Sequence, residues 1–463
     1  MCALWVGAAV AGTVQDDNEA RGLLAVEPRP PAPSGDVIVR AGEVLTATDA
    51  TFAPGFVHIR DGRIVEVGPG DGPDVPGARV WSVPTGVVTP GLIDTHSHLG
   101  VYPSPGAAAH GDGNEATAPS TAGVWAEHSV WPQDPGFQRA AEGGVTTLQV
   151  LPGSANLIGG RGVTLHVAPG ARGSRAMRLD GAPETVKMAC GENPKRVYGD
   201  KGGPSTRMGN LRGQREAFLA AVAYRAKWDE YEAKLPSGEP ARRKGKQDPA
   251  SPPPPPERDL DQETLVGVLE GDILPQIHCY RADDMLSMLQ LADEFGFRVR
   301  SFHHAVESYK IRDILAEREV AVSTWADWWG FKLEAFDAVE ENLAMLTAAG
   351  ARGVLHSDSA IGIQRLNQEA GKALAAGRRA GIDVDETDAL RWITANPAWA
   401  LGVDAMVGTL EPGKRGDVVV WSGDPFSVYT RAELVLVDGE VVVDRSVDAP
   451  PWSDFQVGRE VSP

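Results

Sequence analysis

With three cysteines in 463 residues, at positions 2, 190 and 279, the chain is too poor in thiols for a disulfide framework. None of the three stands in a Cys-x-x-Cys pair. No run of about 18 apolar residues occurs, so no segment is expected to span a membrane. Positive charge is also scarce: 44 Lys and Arg stand against 63 Asp and Glu, a formal net charge of −19. That balance argues against nucleic acid as a partner, whose binding depends on neutralising phosphates, and it favours solubility. No internal repeat points to a solenoid. What is present is an ordinary globular composition, 42% hydrophobic and 23% charged. The length suits a large barrel with an accessory domain.

The N-terminus reads in two ways. Ala3 to Gly12 is apolar and rich in small residues, like the core of an export signal, but no Lys or Arg precedes it. Gln15 to Ser34 is then polar and Pro-rich. A truncated signal peptide would make the protein exported, periplasmic or secreted. A disordered tail would leave it cytoplasmic. We take residues 1–35 as a tail and 448–463 as its C-terminal counterpart.

From Asp36 onward short β-prone runs follow one another, and Asp61-Gly62 supplies the turn of a tight hairpin. The other end has the same texture, with Asp417 to Trp421, Leu434 to Val437 and the turn Asp438-Gly439. Residues 36–89 and 402–447 are therefore expected to form one small β-sandwich domain built from both termini. The middle, residues 90–401, alternates apolar runs with helical stretches such as Asp283 to Phe295 and Leu333 to Ala349. Repeated strand–helix units imply a parallel sheet. About eight strands can be counted, the number that closes an α/β barrel of the (β/α)8 type. An insertion at about 217–262 does not fit that barrel: a charged helix from Ala217 to Leu235 runs into Arg242-Arg243-Lys244-Gly245-Lys246 and Pro252 to Pro256. The Pro-rich part should be extended and poorly packed.

The chemistry begins at Thr89-Pro90-Gly91-Leu92-Ile93-Asp94-Thr95-His96-Ser97-His98. Residues i and i+2 of a strand share a face, so His96 and His98 project toward one point, as two ligands of a single metal ion would. Two histidines fill only half a tetrahedral site. In a barrel the remaining ligands belong at the C-terminal ends of other strands. His278 follows Ile273 to Ile277, His303 and His304 follow Val299 to Phe302, Asp358 follows Gly353 to Ser357, and Lys187 lies within Thr185 to Met188. These candidates from several strands face one rim.

The motifs at 90–98, at His278, at His304-Ala305-Val306-Glu307 and at His356-Ser357-Asp358 resemble the amidohydrolase superfamily, in its imidazolonepropionase-like and prolidase-like branch. The stretches Thr394 to Ala398 and Val407 to Asp417 add to the likeness, which covers roughly residues 36–445. The resemblance implies a metal-dependent hydrolase with one or two divalent ions, zinc foremost, per subunit. His96 and His98 would bind the more buried metal, and His278 and His304 the second. Asp358 would touch the first metal and act as general base toward a metal-activated hydroxide. Lys187 matches a strand-four lysine that is carboxylated by carbon dioxide and bridges two metals. A bare ammonium has no lone pair, whereas a carbamate oxygen can ligate. Glu192 is the alternative bridging carboxylate. His303 should point the opposite way to His304, into packing.

Substrate contacts are less legible. Arg161, in the glycine-rich segment Asn156 to Gly162, could fork a carboxylate. Tyr198, His128, His356 and Trp325, Trp328 and Trp329 are further candidates to line the pocket. The expected reaction on a small-molecule substrate is hydrolysis of an amide, lactam or cyclic ureide C–N bond, in a dipeptide or a non-peptide. A lactone or phosphoester hydrolase, a mononuclear deaminase and a catalytically silent binding protein are the rivals. A homodimer is expected by analogy alone.

Overall fold

The computed structural model describes residues 35–104, 106, 108–168, 170–235 and 253–447. Both terminal tails and the basic cluster Arg242 to Lys246 lie outside the described residues. Two eight-stranded sheets organise the molecule.

The first sheet joins the two ends of the chain. It contains β1 (Asp36–Leu45), β2 (Thr51–Phe52), β3 (Gly55–Arg60), β4 (Arg63–Pro69) and β5 (Arg79–Pro90) from the N-terminal side. From the C-terminal side come β14 (Val418–Trp421), β15 (Ala432–Val437) and β16 (Glu440–Asp444). The two groups meet where β14 pairs antiparallel with β5, Val418 opposite Pro90. Alternate residues of these strands, among them Val37, Val39, Val57, Ile59, Val418 and Val420, close a separate apolar core. The expected hairpin at Asp61-Gly62 is present between β3 and β4.

The second sheet is the barrel: β6 (Leu92–Ser97), β7 (Val145–Val150), β8 (Ile158–His166), β9 (Glu184–Ala189), β10 (Ile273–Cys279), β11 (Ser301–His304), β12 (Ala321–Thr324) and β13 (Arg352–Leu355) follow one another in order. Nearly every residue of these strands is buried, as a sheet covered on both faces demands. The chain passes from β5 into β6 at Gly91, where a Cβ would overlap the Thr146 side chain. The strand ladder does not run from β13 back to β6. Polar groups fill that seam instead: the Asp358 N–H donates to the His96 carbonyl at 2.9 Å, and Asp94 accepts from the N–H groups of His96 and Ser357 at 3.1 Å each.

Four features differ from expectation. The glycine-rich segment, expected to approach a ligand, instead begins β8, and β8 runs antiparallel to both β7 and β9 where a parallel sheet is expected. Gly160 makes the irregular start of that strand workable: its φ is +106°, and a Cβ would press on the Val124 carbonyl. The helix expected from Leu333 to Ala349 is a single turn at Leu333–Ala335, then a loop, then a helix at Asn342–Ala348. The inserted helix begins earlier than read, at Arg207, because the Thr206 hydroxyl accepts from Gly209 N–H and caps it. Finally, Cys190 and Cys279 form a disulfide, with Cα atoms 5.3 Å apart. They are distant in sequence, but Cys190 directly follows β9 and Cys279 ends the neighbouring β10.

Candidate metal centre

Six of the ten histidines of the sequence gather at one end of the barrel. His96 and His98 stand at the C-terminal end of β6, His278 near the end of β10, His303 and His304 at the end of β11, and His356 just past β13. His96 Nε2 and His98 Nε2 face Asp358 Oδ1 at 3.7 and 3.3 Å. His96, His98 and Asp358 each offer one ligand atom within a 4.8 Å span, and so do His96, His304 and His356. The rings of His278 and His304 are 4.5 Å apart.

The hydrogen bonds fix which nitrogen each imidazole can offer. The Gln276 amide nitrogen donates to the Ala400 carbonyl at 3.1 Å, so its oxygen is left to accept from His303 Nε2 at 2.7 Å. His303 Nδ1 is then an acceptor, and His96 Nδ1 donates to it at 2.9 Å. That leaves His96 Nε2 with a bare lone pair toward Asp358. His98 is set the same way: Nδ1 donates to the Leu151 carbonyl at 2.8 Å. Such orientation by an outer hydrogen bond is typical of metal-ligating histidines. His356 differs. Its Nε2 accepts from the His304 backbone N–H at 3.3 Å, so Nδ1 carries a proton, and that N–H is buried without a partner.

Burial favours the neutral form of the most deeply placed imidazoles, and the neutral form is the one that binds metal. It pushes His96, His278, His303 and His304 well below the usual histidine range, and the Lys187 charge adds to this in each case. His356 is lowered to about 3 by burial. Burial alone would raise Asp358, but the positive charge around it outweighs burial and holds the carboxyl below its ordinary value. Burial pushes the Lys187 ammonium down to about 8 and the Asp94 carboxyl up to about 6.

The residues present fit a cation. His304 Nδ1 is buried with no hydrogen-bond partner and lies 3.9 Å from the Asp358 carboxylate, an arrangement that needs an explanation in a folded protein. A positive ion beside neutral imidazoles and a carboxylate supplies one. Lys187 Nζ lies within this group, 3.4 Å from His96 Nε2 and 3.1 Å from the Pro152 carbonyl. Glu192 is engaged elsewhere: it opens the helix Glu192–Tyr198, and its carboxylate is 3.4 Å from Lys332 Nζ.

Other residues singled out in the sequence are not brought to the cluster. Arg161 pairs with Glu184, bonds Thr264 and lies over the Trp125 ring. The Tyr198 hydroxyl donates to the Ala118 carbonyl, and His128 stacks on Trp125. Trp325 does reach it, stacking on His304 at 4.6 Å. His303 departs from expectation in the other direction. Strand alternation sends it away from His304, into packing, but it touches His96. The alternation breaks because His304 and Ala305 adopt φ of 68° and 40°, which turns both imidazoles inward. Sequence reasoning also missed Gln276 and Asp94. Their signal is a polar side chain next to apolar strand residues, which at full burial must have a partner. Replacing Gln276 by Leu should release the His303–His96 relay and weaken metal affinity by about 10–100-fold with little change in fold, measurable by competition with a chromogenic chelator.

A barrel carrying histidines and carboxylate at its C-terminal rim, with a second sheet made by both chain ends, defines a class of hydrolase scaffold. The comparisons agree. The Amidohydrolase family model matches residues 325–443. The crystal structure of an amidohydrolase from Thermotoga maritima MSB8 is 34% identical, covers 88% of this chain and all of that one, and superposes with a TM-score of 0.78. The amidohydrolase tasK of Hapsidospora irregularis is 31% identical over 465 residues. That match takes in 96% of this chain but 43% of the relative, so the chain spans less than half of that protein's length. An adenosine deaminase from Xanthomonas campestris with bound zinc shares the fold, at 15% identity and TM-score 0.52, over 91% of this chain and 96% of its own. The chain belongs to the amidohydrolase superfamily.

Proposed function

We propose that this protein is a metal-dependent hydrolase of a C–N bond in a small molecule: an amide, lactam or cyclic ureide, in a non-peptide or a dipeptide. The observation that carries the reading is the convergence of His96 Nε2, His98 Nε2 and Asp358 Oδ1 at the barrel rim, each nitrogen freed by an outer hydrogen bond. His96, His98 and Asp358 would hold one divalent ion, zinc by the preference of imidazole and carboxylate donors. His278 and His304 would hold a second, with carboxylated Lys187 between them. The placement of Lys187 beside His96, against the Glu192–Lys332 pair, favours Lys187 as the bridge.

A divalent cation held by these residues would lower the pKa of water and polarise the scissile carbonyl. The chain's residues do the rest. Asp358, held as a carboxylate, accepts the proton of the attacking water and returns it to the leaving nitrogen. The Nδ1–H of His356 donates to the carbonyl oxygen as charge builds there. The stacked rings of Tyr280, His304 and Trp325 keep bulk water from that side.

The test is elemental analysis of the purified protein followed by turnover on a panel of dipeptides and cyclic amides. Bound zinc or a similar ion, activity lost to a chelator and restored by metal are the expected results. A metal-free protein with no metal-stimulated hydrolysis would overturn the proposal.

A further inference from the structure

Beyond Trp325, the segment after β12, residues 325–336, carries aromatic side chains that the catalytic reading leaves unused. Trp325 is buried and pinned, its indole N–H donating to the Ser357 carbonyl at 3.1 Å. One face of Trp325 lies on His304. Tyr280, two residues past His278, stacks on His304 as well, at 5.1 Å. Phe331 contacts both Tyr280 and Trp325 at about 6 Å, and Trp328 meets Trp325 at 4.9 Å and Phe331 at 5.3 Å. Four aromatic rings thus form one contiguous wall that starts on a candidate metal ligand and runs outward.

The outer half of that wall is open. Trp328 is 45% and Phe331 49% exposed, whereas Trp325 and Tyr280 at its root are buried. Large rings left half-bare beside a catalytic cluster expose apolar area that a bound apolar group would cover. The loop is not floppy packing material: Gly330 N–H bonds the Ala335 carbonyl at 3.0 Å, and Lys332 anchors it to Asn193, Glu192 and Glu334. Those two carboxylates also settle the sign of the surface. Lys332 lies 4.1 Å over the Tyr280 ring, but its charge is already matched, so the wall offers no free cation for a carboxylate.

We infer that Trp328 and Phe331, backed by Trp325 and Tyr280, form a subsite for an uncharged aromatic or similarly flat apolar group next to the C–N bond. The substrate class is accordingly an aryl-bearing amide or cyclic amide and not a small aliphatic or anionic one. This rests on the hydrolase reading for the position of the bond, not for the existence of the subsite.

The experiment separates the two. Binding of phenylacetamide and acetamide to the purified protein is measured by calorimetry and tryptophan fluorescence, alongside the hydrolysis of each. Phenylacetamide should bind at least about fivefold more tightly than acetamide. That preference should vanish in Trp328→Ala and in Phe331→Ala, with melting temperature and metal content unchanged. Trp328→Leu, which keeps apolar bulk without the ring, guards against a folding defect and should lose most of the preference too. Equal binding of the two probes, no detectable binding of either, or a preference that survives in the Trp328→Ala, Phe331→Ala double variant would overturn the subsite. An aryl preference lost in the variants, in a protein without hydrolytic activity, would leave the subsite standing and remove the hydrolase reading. Hydrolysis that treats both amides alike would do the reverse.

Discussion

Replacing Asp358 by Asn should lower kcat by about 10²–10⁴-fold while the protein stays folded and keeps most of its metal, because general-base catalysis is worth that much and Asn cannot take a proton. The geometry makes this substitution clean. Asn is nearly isosteric, and the backbone of residue 358 is held independently of its side chain by the bond from its N–H to the His96 carbonyl. That matters because Asp358 sits at φ 47°, a left-handed conformation that Asn tolerates as well as Asp does. The positive charge around the carboxyl holds it below its ordinary value, so it stands ionised and can accept a proton from water. The expected signature is a fall in kcat with a small change in KM, with metal content checked by elemental analysis. An Asp358→Asn protein that retains near wild-type kcat at full metal loading would assign the base to another group.

What could be read from the sequence follows from which signals are local. His96 and His98 were legible because strand periodicity fixes i and i+2 on one face, whatever the rest of the fold does. His278, His304 and Asp358 were legible because barrel strands end in rim residues, and apolar runs mark where strands end. The β8 strand was not, since Ile158-Gly159-Gly160-Arg161-Gly162 has too little side chain to show strand periodicity, and chain direction leaves no mark in sequence. Arg161 went astray for the same reason. Once β8 is a strand, Arg161 has Glu184 on the adjacent β9 as its partner. His303 was misplaced because positive φ at His304 and Ala305 carries no residue signature; only the surrounding structure imposes it. The Cys190–Cys279 bond needed the pairing of β9 with β10, with Lys187 beside Gln276 and His278 beside Ala189, and register of that kind is tertiary information.

Lys187→Ala should empty the metal centre further than any change outside the histidines and Asp358. Lys187 is almost fully buried, so its four-carbon stem and terminal group occupy space that no other side chain can reach. As an ammonium it would repel a cation near His96, 3.4 Å away, and could ligate nothing. As a carbamate, formed when the neutral amine adds carbon dioxide and releases a proton, it turns the same position into an anionic oxygen donor. The two states therefore predict opposite results. If Lys187 bridges, Lys187→Ala should lower occupancy of both metal positions and turnover by at least about 10²-fold, the upper range seen for supporting groups around a metal. Added short-chain carboxylate, which fits the cavity left behind, should restore part of both. If Lys187 stays an ammonium, removing its charge should raise metal affinity and leave added carboxylate without effect. Glu192→Ala is the matched control. Glu192 is drawn to Lys332, so its loss should disturb the loop at 325–336 before it disturbs metal content. Metal that survives Lys187→Ala and disappears in Glu192→Ala would transfer the bridge to Glu192. Elemental analysis of both variants, grown with and without supplementary bicarbonate, distinguishes these outcomes.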